Sequence, residues 1–285
     1  MKKAILVIIL SLILSITVWG AETRDGFTYE IDELNGLIIT GCSITDARIE
    51  IPAKIGARYV KSISDTAFEN CPNVQYIFIP AFVKTIDENT FNNLDNLKAI
   101  YVNSANKYYS NDKFGVLYNK HMTTLIQYPP GNESQIFTLP ENIYIILPNA
   151  LNYCPFLNGI RVPKINKFFS TDENNVLFNK NQTELIRYPM GKTDTVYTIP
   201  ESVTDISIGA FANCNNLEQI QTDSPEFVSL SGVLFSADME TLIKYPAAKS
   251  GDTYTVPEGV KYIAERAFED NKHLKKITMP ESLIP

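Results

Sequence analysis

Apolar residues recur along this chain at fixed offsets. Counted from Val203 they fall at 0, 3, 7, 8, 11, 14 and 17: Val203, Ile206, Ala210, Phe211, Cys214, Leu217 and Ile220. The template starts again at Val60 (Ile63, Ala67, Phe68, Cys71, Val74, Ile77) and at Val83 (Ile86, Thr90, Phe91, Leu94, Leu97, Ile100). Two further copies begin at Ile143 (Ile146, Ala150, Leu151, Cys154, Leu157, Ile160) and Val260 (Ile263, Ala267, Phe268, Asn271, Leu274, Ile277). Self-similarity of this kind marks a repeat architecture, in which each unit buries its apolar face only against its neighbours.

Within a copy, Val74-Gln75-Tyr76-Ile77-Phe78-Ile79-Pro80 alternates as a half-buried strand should, and the proline ends it because it has no amide donor. The shorter Val-x-x-Ile piece predicts a second strand on the opposite wall of the coil. Between them Ala-Phe-x-x-Cys has helical spacing and room for only about two turns, with Ser64, Asp87 and Ser207 placed to cap them. Coils of 23 residues, the distance from Val60 to Val83, would stack parallel strands about 4.8 Å apart. Each Phe would then rest on the equivalent side chain of the next coil.

The later template starts lie 60, 60 and 57 residues apart, and the extra length is itself repetitive. Tyr108 to Pro129, Phe168 to Pro189 and Phe227 to Pro246 each hold two apolar strands around a polar turn. These read as three inserted β-hairpins, expected to protrude from one side in a row. Residues 21–50 do not fit the template; Phe27–Ile31 and Gly36–Thr40 predict a hairpin that caps the first coil, leaving 51–285 as the solenoid. The chain stops in mid-template at Met279-Pro280-Glu281-Ser282-Leu283-Ile284-Pro285, which also suits a piece of a longer surface protein.

The strings Ile199-Pro200-Glu201-Ser202-Val203-Thr204-Asp205-Ile206, Ala210-Phe211-Ala212-Asn213-Cys214, Gly232-Val233-Leu234-Phe235 and Leu242-Ile243-Lys244-Tyr245-Pro246 resemble the BspA-like leucine-rich repeats of exported and surface proteins. The resemblance covers roughly 37–283. It implies a curved leucine-rich repeat solenoid, a β-rich α/β fold, and for some members adhesion to host proteins or other cells. It brings no catalytic residues. The chain departs conservatively at Thr90 and Leu151, and more at Asn271, which puts a polar group in the last layer.

Composition and charge change this picture in one respect. Lys2 and Lys3 precede a mostly apolar run, Ala4 to Val18, and Val18-Trp19-Gly20 suits a cleavage site, so 1–20 reads as a signal peptide and Ala21 as the mature start. The other reading, an uncleaved anchor, asks a short run to span a membrane that takes about 20 residues. Cleavage removes two lysines and takes the formal charge from −7 to −9. A scattered acidic surface argues against nucleic acid. No second long apolar run follows, so the exported product has no integral membrane contact and is expected to be secreted or held at the cell surface. Cys71, Cys154 and Cys214 share the template position that holds Leu94, so they read as small core hydrophobes and not as bridge halves. Cys42 lies outside the repeat and has no evident partner.

Candidate chemistry is sparse. His121 and His273 have no Cys, Asp or His at metal-ligand spacing, and neither a nucleophile elbow nor a phosphate-cradling glycine loop occurs. The expectation is a protein without enzymatic activity, cofactor or metal. Asn132 and Asn181 head glycosylation sequons. The informative residues point outward from the predicted strands: Tyr76 and Phe78, Ala99 and Tyr101, Gly159 and Arg161, Gln219 and Gln221, Lys276 and Thr278. Two readings are open for Tyr76, Phe78, Tyr101, Arg161, Gln219 and Gln221. They form a binding face for a host extracellular-matrix or cell-surface protein, or the N-terminal cap and first hairpin cover them. At the level of the whole protein, an adhesion module stands against a structural spacer with no binding site of its own. Nothing in the pattern sets an oligomeric state.

Overall fold

The computed structural model describes residues 22–284; the expected signal segment, 1–20, lies outside the described residues. The chain is a solenoid of short strands, and no helix occurs among the described residues. One wall carries the alternating strands, most of them closed by a proline. Arg48–Glu50, Tyr76–Ile79 and Ala99–Val102 pair in parallel, with Tyr76 opposite Ala99 and Phe78 opposite Tyr101. The same 23-residue register joins Ile136–Thr138 to Gly159–Arg161, Val196–Ile199 to Gln219–Thr222, and Thr253–Thr255 to Lys276–Thr278. The second wall stacks Leu37–Cys42, Arg58–Ile63 and Thr85–Ile86, also in parallel.

The template positions are the core. Val60, Ile63, Ala67, Phe68, Cys71, Val74 and Ile77 are all buried, as are their counterparts from Val203 to Ile220 apart from the half-buried Ile206. Burial of so many aliphatic side chains is the main drive to stack, because a single coil leaves both its flat sides in water.

The expected short helical turns are absent, which makes the fold β-rich without the α part. The corners are closed by single i→i+3 backbone bonds, such as Ala67 N to Ser64 O at 3.2 Å and Ala210 N to Ser207 O at 2.9 Å. The backbone carbonyls of Ser64, Asp87 and Ser207 accept these bonds; no side-chain capping is needed. Asn93, Tyr153, Asn213 and Asp270 adopt positive φ at the same place in four coils, one residue before the Leu or Cys slot. A left-handed residue there ends any helix and swings the chain onto the next strand.

The three inserted segments do not protrude. Each is a three-stranded antiparallel meander, as in Tyr109–Asn111, Leu117–Asn119 and Thr124–Gln127. Its last strand joins the second wall in parallel, with Thr124 opposite Ile145, Glu184 opposite Asp205 and Thr241 opposite Tyr262. Its centre reaches the first wall, where Ile100, Ile160 and Ile220 donate to the carbonyls of Gly115, Asn175 and Gly232 at 2.9, 2.9 and 3.0 Å. Val116, Leu117, Tyr118 and Leu125 are fully buried. Adjacent apolar residues on these strands have to be covered on both sides, and lying within the stack covers them.

Asn271 is satisfied in place. Its amide donates to the carbonyls of Pro246, Ala247 and Lys249, and its oxygen accepts from His273 and Leu274. A side chain with two donors and an acceptor thereby replaces the sulfur of the earlier coils.

Candidate partner-binding face

Alternation along Tyr76–Ile79 puts Ile77 and Ile79 in the core and leaves Tyr76 and Phe78 half-buried on the outer face. Parallel register then sets Tyr101 beside both. Its ring centroid lies 6.4 Å from that of Tyr76 and 5.0 Å from that of Phe78, with planes 17° and 30° apart. Arg48 completes the group, its guanidinium carbon 4.0 Å from the Phe78 centroid. A guanidinium over an aromatic face gains from the ring quadrupole and stiffens both side chains. Arg48 also pairs with Glu50 at 2.5 Å, but both side chains are more than half exposed, so the pair adds little to stability.

Below this group Lys98 bonds Glu133 at 2.6 Å. The carboxylate holds the lysine above its ordinary range and the lysine holds the carboxyl below its own, Tyr76 adding a smaller push to Lys98. The result is a face with stacked rings at its centre and charges of both signs around it.

Two of the residues expected to point outward do not reach the surface. Ala99 is buried beneath Gly115, whose φ is 76° and where an added Cβ would come within 2.2 Å of the Ala99 Cβ. Gly159 is buried against Asn175 and Ile136. In both places the inserted meander brings the turn between its first two strands against the wall, which spacing from one strand could not foretell. Arg161 is exposed on a separate two-stranded sheet, and Gln219 and Gln221 lie on another, where the Gln221 amide donates to the Gln219 side chain at 3.1 Å. The structure therefore brings Tyr76, Phe78 and Tyr101 together and leaves the other three apart from them.

Arg48 was missed from sequence because residues 21–50 were assigned to the cap. Its signal was legible: Arg48-Ile49-Glu50-Ile51-Pro52 has the alternation and closing proline of Tyr76 to Pro80. Cys42, which lacked an evident partner, lies against Cys71, whose thiol donates to the Cys42 carbonyl at 3.4 Å. All four cysteines are buried and unbridged. Of the two sequons, Asn181 is exposed, whereas Asn132 is buried with its amide donating to the Phe114 and Lys98 carbonyls. At the turn of the first meander His121 is exposed, while Asn119 is half-buried and accepts from the amides of Thr123 and Thr124.

Among the described residues no group of three or more His, Cys, Asp or Glu stands close enough to hold a metal ion. No helix among them is long and apolar enough to cross a membrane.

Parallel strands in 23-residue register, joined by turns that carry a buried Phe and a buried thiol, define a leucine-rich repeat solenoid. The chain belongs to the BspA type leucine rich repeat family, whose model matches residues 34–128 and 190–284 in six copies. Among solved structures it is similar to a leucine-rich repeat protein from Eubacterium ventriosum (23% identity, TM-score 0.47), covering 84% of this chain and 56% of that one. It is also similar to a leucine rich cell surface protein from Faecalibacterium prausnitzii (23% identity, TM-score 0.41), covering 93% and 71% of the two chains. A third is the pneumococcal vaccine antigen PcpA (16% identity, TM-score 0.43), with 93% and 82% covered. The chain thus spans little more than half the length of the first of these. A comparison with curated protein sequences finds no match.

Proposed function

We propose that this chain is an exported, non-enzymatic adhesion module that binds a protein partner at the face formed by Arg48, Tyr76, Phe78 and Tyr101. The observation that carries the reading is the stacking of three aromatic rings on an outer strand face, half-exposed, with an arginine laid over one of them. Aromatic and arginine side chains dominate the energetic centres of interfaces, and here they stand on rigid strands that lose little freedom on binding. Arg161, Gln219 and Gln221 would serve as polar contacts further along the solenoid. The N-terminal charged and apolar segment supports export, to the medium or the cell surface, and hence a host extracellular-matrix or cell-surface protein as partner.

The test is binding of the purified protein to a panel of purified extracellular-matrix proteins. Tyr76→Ala and Tyr101→Ala, which truncate outer-face side chains, should each lower affinity by about tenfold or more, the cost typical of interface aromatics. Their circular dichroism should match that of the parent. Undiminished affinity in both variants removes the face assignment, and a parent chain that binds no matrix protein favours the spacer reading.

A further inference from the structure

Cys71, Cys154 and Cys214 hold the same template position, which another coil fills with Leu94. All three thiols are buried. Two of them bond backbone alone: Cys154 donates to the Asn152 carbonyl at 3.5 Å, and Cys214 to the carbonyls of Ala212 and Tyr188 at 3.6 and 3.8 Å. Cys71 differs. Its thiol reaches 29 positions back along the chain to the Cys42 carbonyl at 3.4 Å, and it hydrogen-bonds the Cys42 sulfur as well. Core packing explains a cysteine in the repeat slot, since Leu94 serves there too. Cys42 lies outside the repeat, and it faces the one repeat thiol that has a second sulfur beside it.

Cys42 closes the cap strand Leu37–Cys42, and no strand follows until Arg48–Glu50. Ser43 and residues 45–47 are exposed, so the backbone after Cys42 has room to adjust. The Cys42 sulfur accepts from the Ile44 amide at 3.5 Å. The Cys71 thiol, with that amide, holds Cys42 below the ordinary thiol range although burial opposes it. The same contact, with burial, holds Cys71 above that range. One sulfur is thereby favoured as thiolate beside a second kept as thiol, the pairing that thiol–disulfide exchange uses. Cys154 and Cys214 have no such neighbour, and burial pushes both up to about 12. A metal would find only two sulfurs here, because among the described residues no third Cys, His, Asp or Glu joins the pair.

We propose that Cys42 and Cys71 close into a disulfide when the chain folds in the presence of a small oxidised disulfide of the glutathione type. The Cys42 thiolate attacks one sulfur of that disulfide and releases the other half as a thiolate. Cys71 then attacks the Cys42 sulfur of the mixed disulfide and releases the second half. The two protons lost from the cysteines end on the two small thiols, and the two electrons lost by the protein reduce the small disulfide. Surroundings outside the cytoplasm are where such a bridge persists. The inference does not rest on partner binding at the aromatic face.

The bridge ties the N-terminal cap to the first coil. The loop it closes, 42 to 71, contains Arg48–Glu50, the strand that lays Arg48 on Phe78. That strand stands at the edge of its sheet and pairs only with Tyr76–Ile79. A cross-link of this span removes freedom from the unfolded chain more than from the folded one, and so favours the folded cap. It acts at the end of the stack, where a coil has a neighbour on one side only and fraying starts.

The test is to unfold the purified, reduced protein in urea and refold it in a mixture of reduced and oxidised glutathione. Free thiols are then blocked with N-ethylmaleimide and the peptides mapped by mass spectrometry. Cys42 should be recovered joined to Cys71 at about tenfold or more over any other pairing, with maleimide on Cys154 and Cys214. Dithiothreitol should lower the folding equilibrium constant of the oxidised protein by about a hundredfold, read from urea unfolding, and leave that of Cys42→Ser unchanged. If Cys42→Ser does not fold by circular dichroism, Cys71→Leu takes its place, since the slot already holds Leu94 in another coil. Maleimide on all four cysteines, glutathione left on Cys42 without closure, or a bridge to Cys154 or Cys214 overturns the proposal. So does a reductant effect of equal size in the folded variant. No partner enters the measurement, so a protein that binds no matrix protein still decides it.

Discussion

Phe68 and Phe91 lie ring over ring, 6.3 Å between centroids and 15° between planes, one coil apart in the stack. Both are buried, and neither would be so in an isolated coil. The contact is the repeat in miniature: the same template position, 23 residues on, supplies the surface that covers the one before. Phe91→Ala should therefore destabilise the fold by about 3–5 kcal/mol, the usual cost of emptying a buried aromatic site. The midpoint of urea unfolding measures it, and a shift no larger than that of a surface substitution would show that the coils do not depend on this contact.

Asn106 and Asn166 brace the entry to the first two meanders in the same way. The amide of Asn166 donates to the carbonyls of Glu141 and Ile143, and its oxygen accepts from the amides of Phe168 and Phe169. Asn106 makes the matching four bonds to Pro80, Val83, Tyr108 and Tyr109. The third meander has Ser224, which donates to the Val203 carbonyl and accepts from the Glu226 amide. Asn166→Ala leaves buried groups unpaired and should cost about 2–4 kcal/mol, while Asn166→Ser should lose less. Equal losses for Ala and Ser would remove the hydrogen bonds as the cause.

Tyr128 and Tyr188 occupy equivalent places with different partners. The Tyr128 hydroxyl bonds the Asn132 side chain and the Ser134 carbonyl, whereas the Tyr188 hydroxyl is buried with none. Tyr128→Phe should then lower stability by about 1 kcal/mol, and Tyr188→Phe should leave it unchanged or raise it. Urea midpoints of the two variants measured together give the comparison, and a larger loss for Tyr188→Phe would contradict the assignment.

Alkaline pH should unfold the chain. Burial raises the Cys154 and Cys214 thiols from 9.0 to about 12, and the Tyr118, Tyr128, Tyr188 and Tyr197 hydroxyls well above 10.0. A group raised by folding contributes stability that is whole below its unfolded pKa and is lost as pH climbs towards its folded one. Stability should therefore be level up to pH 9 and fall steadily between 9 and 12. Tyrosinate absorbance should appear together with the loss of the β-sheet circular dichroism signal. Ionisation of the full tyrosine complement while the sheet signal persists would show that these rings are not buried in solution.

Most of the solenoid was legible in the residues because a period states itself without long-range information. Seven apolar offsets, a proline after the strand and a 23-residue register name the coil and its stacking direction. Tyr76 and Phe78 were legible for the same reason, since alternation alone decides which way a strand residue faces. Arg161, Gln219 and Gln221 followed the same rule yet stand away from them, because the inserted meanders separate the sheets that carry them.

Spacing along the chain is enough to name the repeat, its core positions, and the aromatic residues kept out of that core. The fold adds that the inserted segments lie within the stack, that left-handed residues such as Asn213 replace helices at the corners, and that Arg48 joins the aromatic face. It also sets Cys42 against Cys71, alone of the three repeat thiols. The reason is one of range. Periodicity is carried by neighbours along the chain, but burial on both sides of a strand and the meeting of two thiols depend on what arrives from parts of the chain that are distant in sequence.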